Sequence, residues 1–128
     1  MAHRAPTPAV EDYLKAIYAL ERRGERVSTT RVAQELGVAP ASASTMMKKL
    51  ADMRLVTRQA YRGVVLSEAG ERVALEVVRH HRLVERFLAD VLGMRWDEVH
   101  DEAEKWEHVL SEDVEGRIDA ALGHPTTD

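Results

Sequence analysis

The sequence predicts a mainly α-helical chain, with a winged helix-turn-helix at the N-terminus and an all-helical domain after it. Three observations carry that expectation. Apolar residues recur at helical spacing through most of the chain, in runs opened by capping residues or prolines and mostly closed near glycine. Two short runs joined by a glycine-containing turn are followed directly by a pair of β-prone segments. Residues 100–108, His-Asp-Glu-Ala-Glu-Lys-Trp-Glu-His, carry two different faces. His100, Glu104, Glu107 and His108 share one side, while Val99, Ala103, Trp106 and Leu110 make an apolar side.

Residues 1–6 read as a loose tail, in which His3 is incidental. Thr7 caps a first helix with Pro8 at its first position, and Val10, Tyr13, Leu14, Ile17 and Tyr18 form its apolar face up to Gly24. Asp12 lies off that face. Ser28 caps a second helix, in which Val32, Ala33 and Leu36 point inward before Gly37. A turn through Gly37, Val38 and Ala39 leads to Pro40, the first position of a third helix. There Ala43, Met46, Met47 and Leu50 pack, while Ser42, Thr45, Lys48, Lys49 and Asp52 face outward.

Small hydroxyls at the start of that helix and lysines further along suit base-edge contacts first and phosphate contacts behind. The expected DNA-contacting set is Ala39, Pro40, Ala41, Ser42, Ser44, Thr45, Lys48 and Lys49. The β-prone runs 55–59 and 63–66, separated by a turn through Ala60, Tyr61, Arg62 and Gly63, read as a hairpin. A hairpin directly after a recognition helix is a wing, and Arg58 and Arg62 would lie along phosphates.

Ser67 caps a long helix running to about Leu92 before Gly93, with Glu68 and Glu71 in its first turn. Val73, Val77, Val84, Phe87, Leu88 and Val91 offer more apolar surface than one thin partner covers, which points to a homodimer. His81 and Glu85, at i and i+4, can share a ligand; His80 reads as a surface residue. Asp97 is expected to cap the helix bearing residues 100–108, and Ser111 the last one, which ends at Gly123-His124-Pro125. The expected division is 1–66 for DNA binding, 67–123 for dimerisation and metal binding, and 124–128 as a tail or linker.

At 128 residues, with 45% hydrophobic and 31% charged residues, the chain has the composition of an ordinary soluble protein. No apolar run approaches the roughly 20 residues of a membrane span, and the start lacks a signal-peptide pattern. The absence of cysteine excludes disulfides and thiolate metal sites, so a cytoplasmic protein with no membrane partner is expected. The net charge of −4 hides an asymmetry. Residues 21–65 hold nine Lys/Arg against four Asp/Glu, a balance of +5; residues 97–128 hold two against eleven, a balance of −9. A basic half joined to an acidic half implies a polyanion on one side and cations on the other.

Charged faces of helices are usually just solvated. Here two imidazoles and two carboxylates in a row supply nitrogen and oxygen donors at a spacing that suits a divalent metal. Enzyme readings find little support. A carboxylate-bridged di-iron site wants Glu-x-x-His motifs, and the residues three before His81, His100 and His108 are Val78, Asp97 and Lys105. There is no His-Glu-x-x-His motif and no glycine-rich phosphate loop.

Glu-Asp-Tyr-Leu at 11–14, His-Arg-Leu-Val-Glu-Arg-Phe-Leu at 81–88 and Val-His-Asp-Glu-Ala-Glu-Lys-Trp-Glu-His at 99–108 together resemble the diphtheria toxin repressor family of metal-dependent transcriptional repressors, its manganese-responsive members in particular. The resemblance covers roughly residues 8 to 125. It implies a primary metal site at Asp12, Glu104, Glu107 and His108, and an ancillary site at His81, Glu85 and His100. Iron-responsive members of the family carry Met and Cys where this chain has Asp12 and Glu104, and hard carboxylates suit Mn²⁺ better than sulfur does. Mn²⁺ is therefore the expected cofactor, Fe²⁺ the alternative, with Zn²⁺, Co²⁺, Ni²⁺ or Cd²⁺ as substitutes in vitro.

Lys15 stands where one dinuclear manganese sensor of the family has a glutamate, which favours two separate sites. Many members continue into an SH3-like domain, so the chain is expected to be a truncated piece or a short member. The implied activity is repression at a pseudo-palindromic operator by a homodimer, switched on when a divalent ion relieves repulsion among Asp12, Glu104 and Glu107. An iron-responsive repressor is the alternative, and a winged-helix regulator with an organic effector is the further one.

Overall fold

The computed structural model describes residues 6–123; the expectations for residues 1–5, His3 included, and for 124–128 lie outside the described residues. Two compact units are present, Met1–Leu75 and Glu76–Asp128. Among the described residues the elements run α1 (Pro8–Arg22), α2 (Thr29–Leu36), α3 (Pro40–Asp52), β1 (Val56–Gln59), β2 (Gly63–Leu66), α4 (Glu68–Asp90), α5 (Trp96–Glu107) and α6 (Glu112–Ala121). The fold is thus mainly α-helical with one small antiparallel sheet, as the sequence predicts.

Local chemistry sets most helix starts in the first unit. The Thr7 hydroxyl accepts a hydrogen bond from the Val10 amide at 3.2 Å, and Ser28 does the same for Arg31 at 3.0 Å. Gly37 takes the left-handed conformation that ends α2 and starts the turn into α3. Val10, Leu14, Ile17, Leu20, Val32, Ala43 and Leu50 are fully buried in one core, which extends to Leu55, Val56, Val64 and Leu66 of the hairpin segment. Each such branched side chain contributes about 1.5–3 kcal/mol by leaving water.

In the hairpin Val56 pairs with Leu66 and Gln59 with Gly63. The ribbon does not stand alone. Val27 forms a parallel bridge to Gly63, donating from its amide to the Arg62 carbonyl at 3.0 Å and accepting from the Val64 amide at 2.8 Å. Gly63 has φ +78°, and a Cβ there would lie 2.3 Å from the Val27 carbonyl oxygen, so only glycine permits this approach. The Glu21 carboxylate also accepts from the Leu66 amide at 2.7 Å. Tyr61, at the tip, has φ +70° and is 94% exposed.

Ser67 caps α4, its hydroxyl accepting from the Gly70 amide at 3.1 Å. In the second unit Val84 and Leu88 of α4 pack on Val99 and Ala103 of α5, with Phe87, Met94, Trp106 and Leu110 around them. Ser111 caps α6, accepting from the Val114 amide at 3.2 Å.

Three details correct the sequence reading. Arg95, not Asp97, is the N-cap of α5; the Asp97 carboxylate is held by the Arg95 guanidinium at 2.6 and 3.1 Å and sits inside the first turn as an acid favoured by the helix dipole. His80 is not a surface residue: its side chain is only 15% exposed and pairs with Glu115 of α6. Val91, read as part of the apolar face of α4, lies beyond the helix end and is half exposed.

Candidate metal centre and nucleic-acid interface

α4 and α5 bring together the three residues expected to form the ancillary site. His81 Nε2 lies 3.0 Å from Glu85 Oε2 and 3.1 Å from His100 Nδ1, and those two are 3.2 Å apart. Each residue offers one donor atom, and the three atoms close a triangle with sides of about 3 Å. That separation is what neighbouring ligands adopt around a first-row ion with bonds of about 2.1–2.2 Å, so nitrogen and oxygen donors here fit a divalent metal in both chemistry and spacing. His81 is buried, Glu85 half-buried and His100 exposed, which gives the triangle one closed and one open side.

The i, i+4 spacing places His81 and Glu85 on one stripe of α4. His100 reaches them because Val99 and Ala103, its neighbours along α5, are buried against Val84 and Leu88.

The remaining expected ligands are placed as follows. Glu104 is half exposed and its Oε1 lies 3.1 Å from His100 Nε2, extending the triangle by one carboxylate. Glu107 is buried, with Oε2 3.2 Å from His81 Nδ1, so His81 has a carboxylate against each ring nitrogen. His108 follows the last residue of α5 as its C-cap, with Nε2 3.8 Å from Glu107 Oε1. Asp12 is half-buried in the second turn of α1, in the first unit.

The second-unit residues therefore do not form one uniform row. Glu104 and His100 turn to solvent while Glu107 turns inward. Helical spacing puts these residues on one broad side, but it does not say which of them meets α4. Spacing also missed that His81 links Glu85 to Glu107 through its two nitrogens. The His80–Glu115 pair was equally invisible, because its partners come from separate helices.

The expected DNA-contacting residues form an exposed surface in the first unit. Ala39, Pro40, Ala41, Ser42, Ser44, Thr45, Lys48 and Lys49 are all exposed, whereas Ala43, Met47 and Leu50 hold α3 to the core. The Thr45 hydroxyl donates to the Ala41 carbonyl at 3.2 Å. Arg58 on β1 and Arg62 after the tip are exposed as well.

Two family models match, in succession. One, described as the N-terminal DNA binding domain of iron dependent repressors, matches residues 7–64; the other, the metal binding and dimerisation domain of iron dependent repressors, matches 67–128. The iron-dependent repressor IdeR of Mycobacterium tuberculosis is 42% identical over 117 residues, which are 91% of this chain and 51% of that protein. The diphtheria toxin repressor of Corynebacterium diphtheriae is 37% identical over 108 residues, 84% of this chain and 48% of that protein. The chain spans about half the length of the curated relatives it matches.

Among solved structures, a manganese-dependent transcriptional repressor in complex with manganese is 46% identical, with a TM-score of 0.84, covering 93% of this chain and 55% of that one. With both family models matched in order across residues 7–128, the chain belongs to the diphtheria toxin repressor family of iron-dependent repressors.

Proposed function

We propose that this chain is a metal-dependent DNA-binding transcriptional repressor that governs metal homeostasis, with Mn²⁺ as its effector. The observation that carries the reading is the triangle of His81 Nε2, Glu85 Oε2 and His100 Nδ1 in a chain that also presents an exposed recognition helix and wing. The proposed ligands are His81, Glu85 and His100 at one site and Asp12, Glu104, Glu107 and His108 at the other; the second set rests on the sequence resemblance. Manganese is favoured because Asp12 and Glu104 are hard oxygen donors. The iron reading has its own support in the 42% identity to IdeR.

A bound divalent cation would supply positive charge among carboxylates that otherwise repel one another. The residues do the rest. The Glu107 carboxylate lies 3.2 Å from Nδ1 of the buried His81 imidazole, within ion-pair distance, while the Nε2 side of the ring is directed at Glu85 and His100. Metal and operator then tighten each other by the same factor, because the coupling is reciprocal. The proposed active species is a homodimer, whose two recognition helices enter half-sites spaced about 34 Å apart or a multiple of it. Val91, Leu92, Trp96 and Val109 are exposed apolar side chains of the second unit that suit such an interface.

The test is DNA-binding anisotropy at fixed salt with Mn²⁺, anaerobic Fe²⁺ or Zn²⁺ added separately. Binding that requires metal and is strongest with Mn²⁺ is expected; a preference for Fe²⁺ would select the iron reading. Binding indifferent to metal would overturn the switch. Glu107→Ala should abolish the metal dependence without unfolding the chain, and an unchanged metal response would remove Glu107 from the site. Asp12→Met should shift preference from Mn²⁺ toward Fe²⁺; unchanged selectivity would refute the role given to Asp12.

A further inference from the structure

α4 carries a second His–Glu pair that neither proposed metal site uses. Glu76 and His80 stand at i and i+4, as His81 and Glu85 do, on a stripe of the helix turned about 100° away. His80 Nε2 faces two carboxylates. Glu115 of α6 pairs with it directly, and Glu76 Oε1 lies 3.9 Å away. The His80 side chain is 15% exposed, against 30% for Glu115 and 65% for Glu76, so the imidazole is the covered end of the cluster. All three residues belong to the second unit.

Ion pairing alone does not account for this arrangement. One ring nitrogen has one in-plane hydrogen-bonding direction, so His80 Nε2 serves Glu115 or Glu76 but not both. A lysine ammonium, with its several donors, would satisfy two carboxylates where an imidazole cannot. What an imidazole adds is a lone pair for a metal ion. A cation set between the three side chains takes nitrogen from His80 and oxygen from each acid, a donor mixture that suits first-row divalent ions. The surroundings favour positive charge further. Glu112 and Asp113 share the first turn of α6 with Glu115, and residues 97–128 hold two Lys/Arg against eleven Asp/Glu.

We propose that His80, Glu76 and Glu115 form a further divalent-cation site, separate from those of His81 and Glu107, that fastens α6 to α4. Zn²⁺ is the preferred occupant, because nitrogen and oxygen donors bind it more tightly than Mn²⁺. Mg²⁺ and Ca²⁺ are disfavoured by the imidazole, since both take oxygen ligands. His80 and Glu115 hold the ion first, and the exposed Glu76 carboxylate closes from 3.9 Å by a change of rotamer. The consequence for α6 follows from how little else holds it. Among the described residues of that helix Ile118 alone is buried. A link from Glu115 through the ion to His80 therefore adds an attachment that apolar packing does not supply.

The experiment uses the full chain loaded with Cd²⁺ and cadmium NMR, in which each bound ion gives its own resonance. The wild type should show a resonance that His80→Gln and Glu115→Gln each lose while keeping the rest, and the resonances kept show that the variants are folded. His81→Ala should lose a different resonance and keep this one. Zn²⁺ should displace Cd²⁺ from this site at a lower concentration than Mn²⁺ does. In His81→Ala, amide exchange along α6 should slow by about tenfold when Cd²⁺ or Zn²⁺ is added, and combining it with His80→Gln should remove that slowing.

A wild-type spectrum from His80→Gln would overturn the proposal and leave the metal-dependent repressor standing. Loss of the resonance in His80→Gln but not in Glu115→Gln, or exchange along α6 that ignores the ion, would overturn the link to α6. A wild type that binds no Cd²⁺ at all would overturn this site and the metal-dependent reading together.

Discussion

Glu25 shows how single residues brace the DNA-binding unit. Its carboxylate is held below the ordinary carboxylate range, chiefly by the hydrogen bond from Arg31 Nε at 2.9 Å, with Arg23 adding a smaller effect and partial desolvation opposing both. Arg23 and Arg31 also reach Glu35, so the end of α1 and the face of α2 share one network. A carboxylate whose folded pKa is lowered stabilises the fold above its unfolded pKa, and that contribution fades as pH falls through the folded value. Glu25→Gln should therefore lower the urea midpoint at neutral pH by a small amount, and the gap to wild type should close under acid conditions. A gap that stays constant down to strong acid would mean that shape, not charge, makes Glu25 useful. The effect is small because the group is exposed and screened.

At the scale of elements, tight backbone approaches matter more than surface ion pairs. A Cβ on Gly70, in the first turn of α4, would lie 2.0 Å from the Leu55 carbonyl oxygen, which itself accepts from the Ser67 amide at 2.9 Å. Backbone on both sides cannot yield cheaply. Gly70→Ala should cost about 2 kcal/mol or more of unfolding free energy in urea titrations, and a neutral result would mean that α4 can shift at its start. In the second unit Leu88 is 1% exposed between α4 and α5. Leu88→Ala should cost about 2–5 kcal/mol and weaken metal binding, since the packing of α5 on α4 brings His100 to His81 and Glu85. Full metal affinity in a destabilised Leu88→Ala protein would show that the triangle does not depend on this core.

Elements were also where the sequence was most readable. Thr7, Ser28 and Ser111 act within a few residues of themselves, so local pattern sufficed to place them. Asp97 failed because Arg95, two residues away, competes for its carboxylate. His80 failed because Glu115 lies on another helix, and no periodicity encodes that pairing. The triangle was legible as far as each helix goes: His81 with Glu85 on one, and His100 on the other. What spacing could not supply was depth. Glu107 and Glu104 look alike in the sequence, yet one is buried against His81 and the other meets His100 at the surface. The Val27–Gly63 bridge joins segments far apart in the chain and left no local trace.

Across the whole molecule, charge and linkage set the expected behaviour. The basic stretch 21–65 and the acidic stretch 97–128 belong to one chain, so cations bound by the second should offset its repulsion of a polyanion. A ligand that binds only the folded state stabilises it by about 2.7 kcal/mol at a hundredfold excess over its Kd. Mn²⁺ should accordingly raise the Tm of the wild-type protein by several degrees, and His81→Ala should abolish most of that rise whatever its own starting Tm. An undiminished metal-induced shift in His81→Ala would place the ion elsewhere.

The parallel bridge at Val27 has a consequence for how the wing opens. Because Val27 donates to the Arg62 carbonyl and receives from the Val64 amide, the hairpin is secured along its far edge as well as along its partner strand. Breaking those bonds requires lifting Val27, a fully buried core residue, out of the first unit. The amide protons of Val27 and Val64 should therefore exchange with solvent deuterium only in the slow, cooperative opening of that unit. Those of Ala60 and Tyr61, a few residues away, should exchange almost at once.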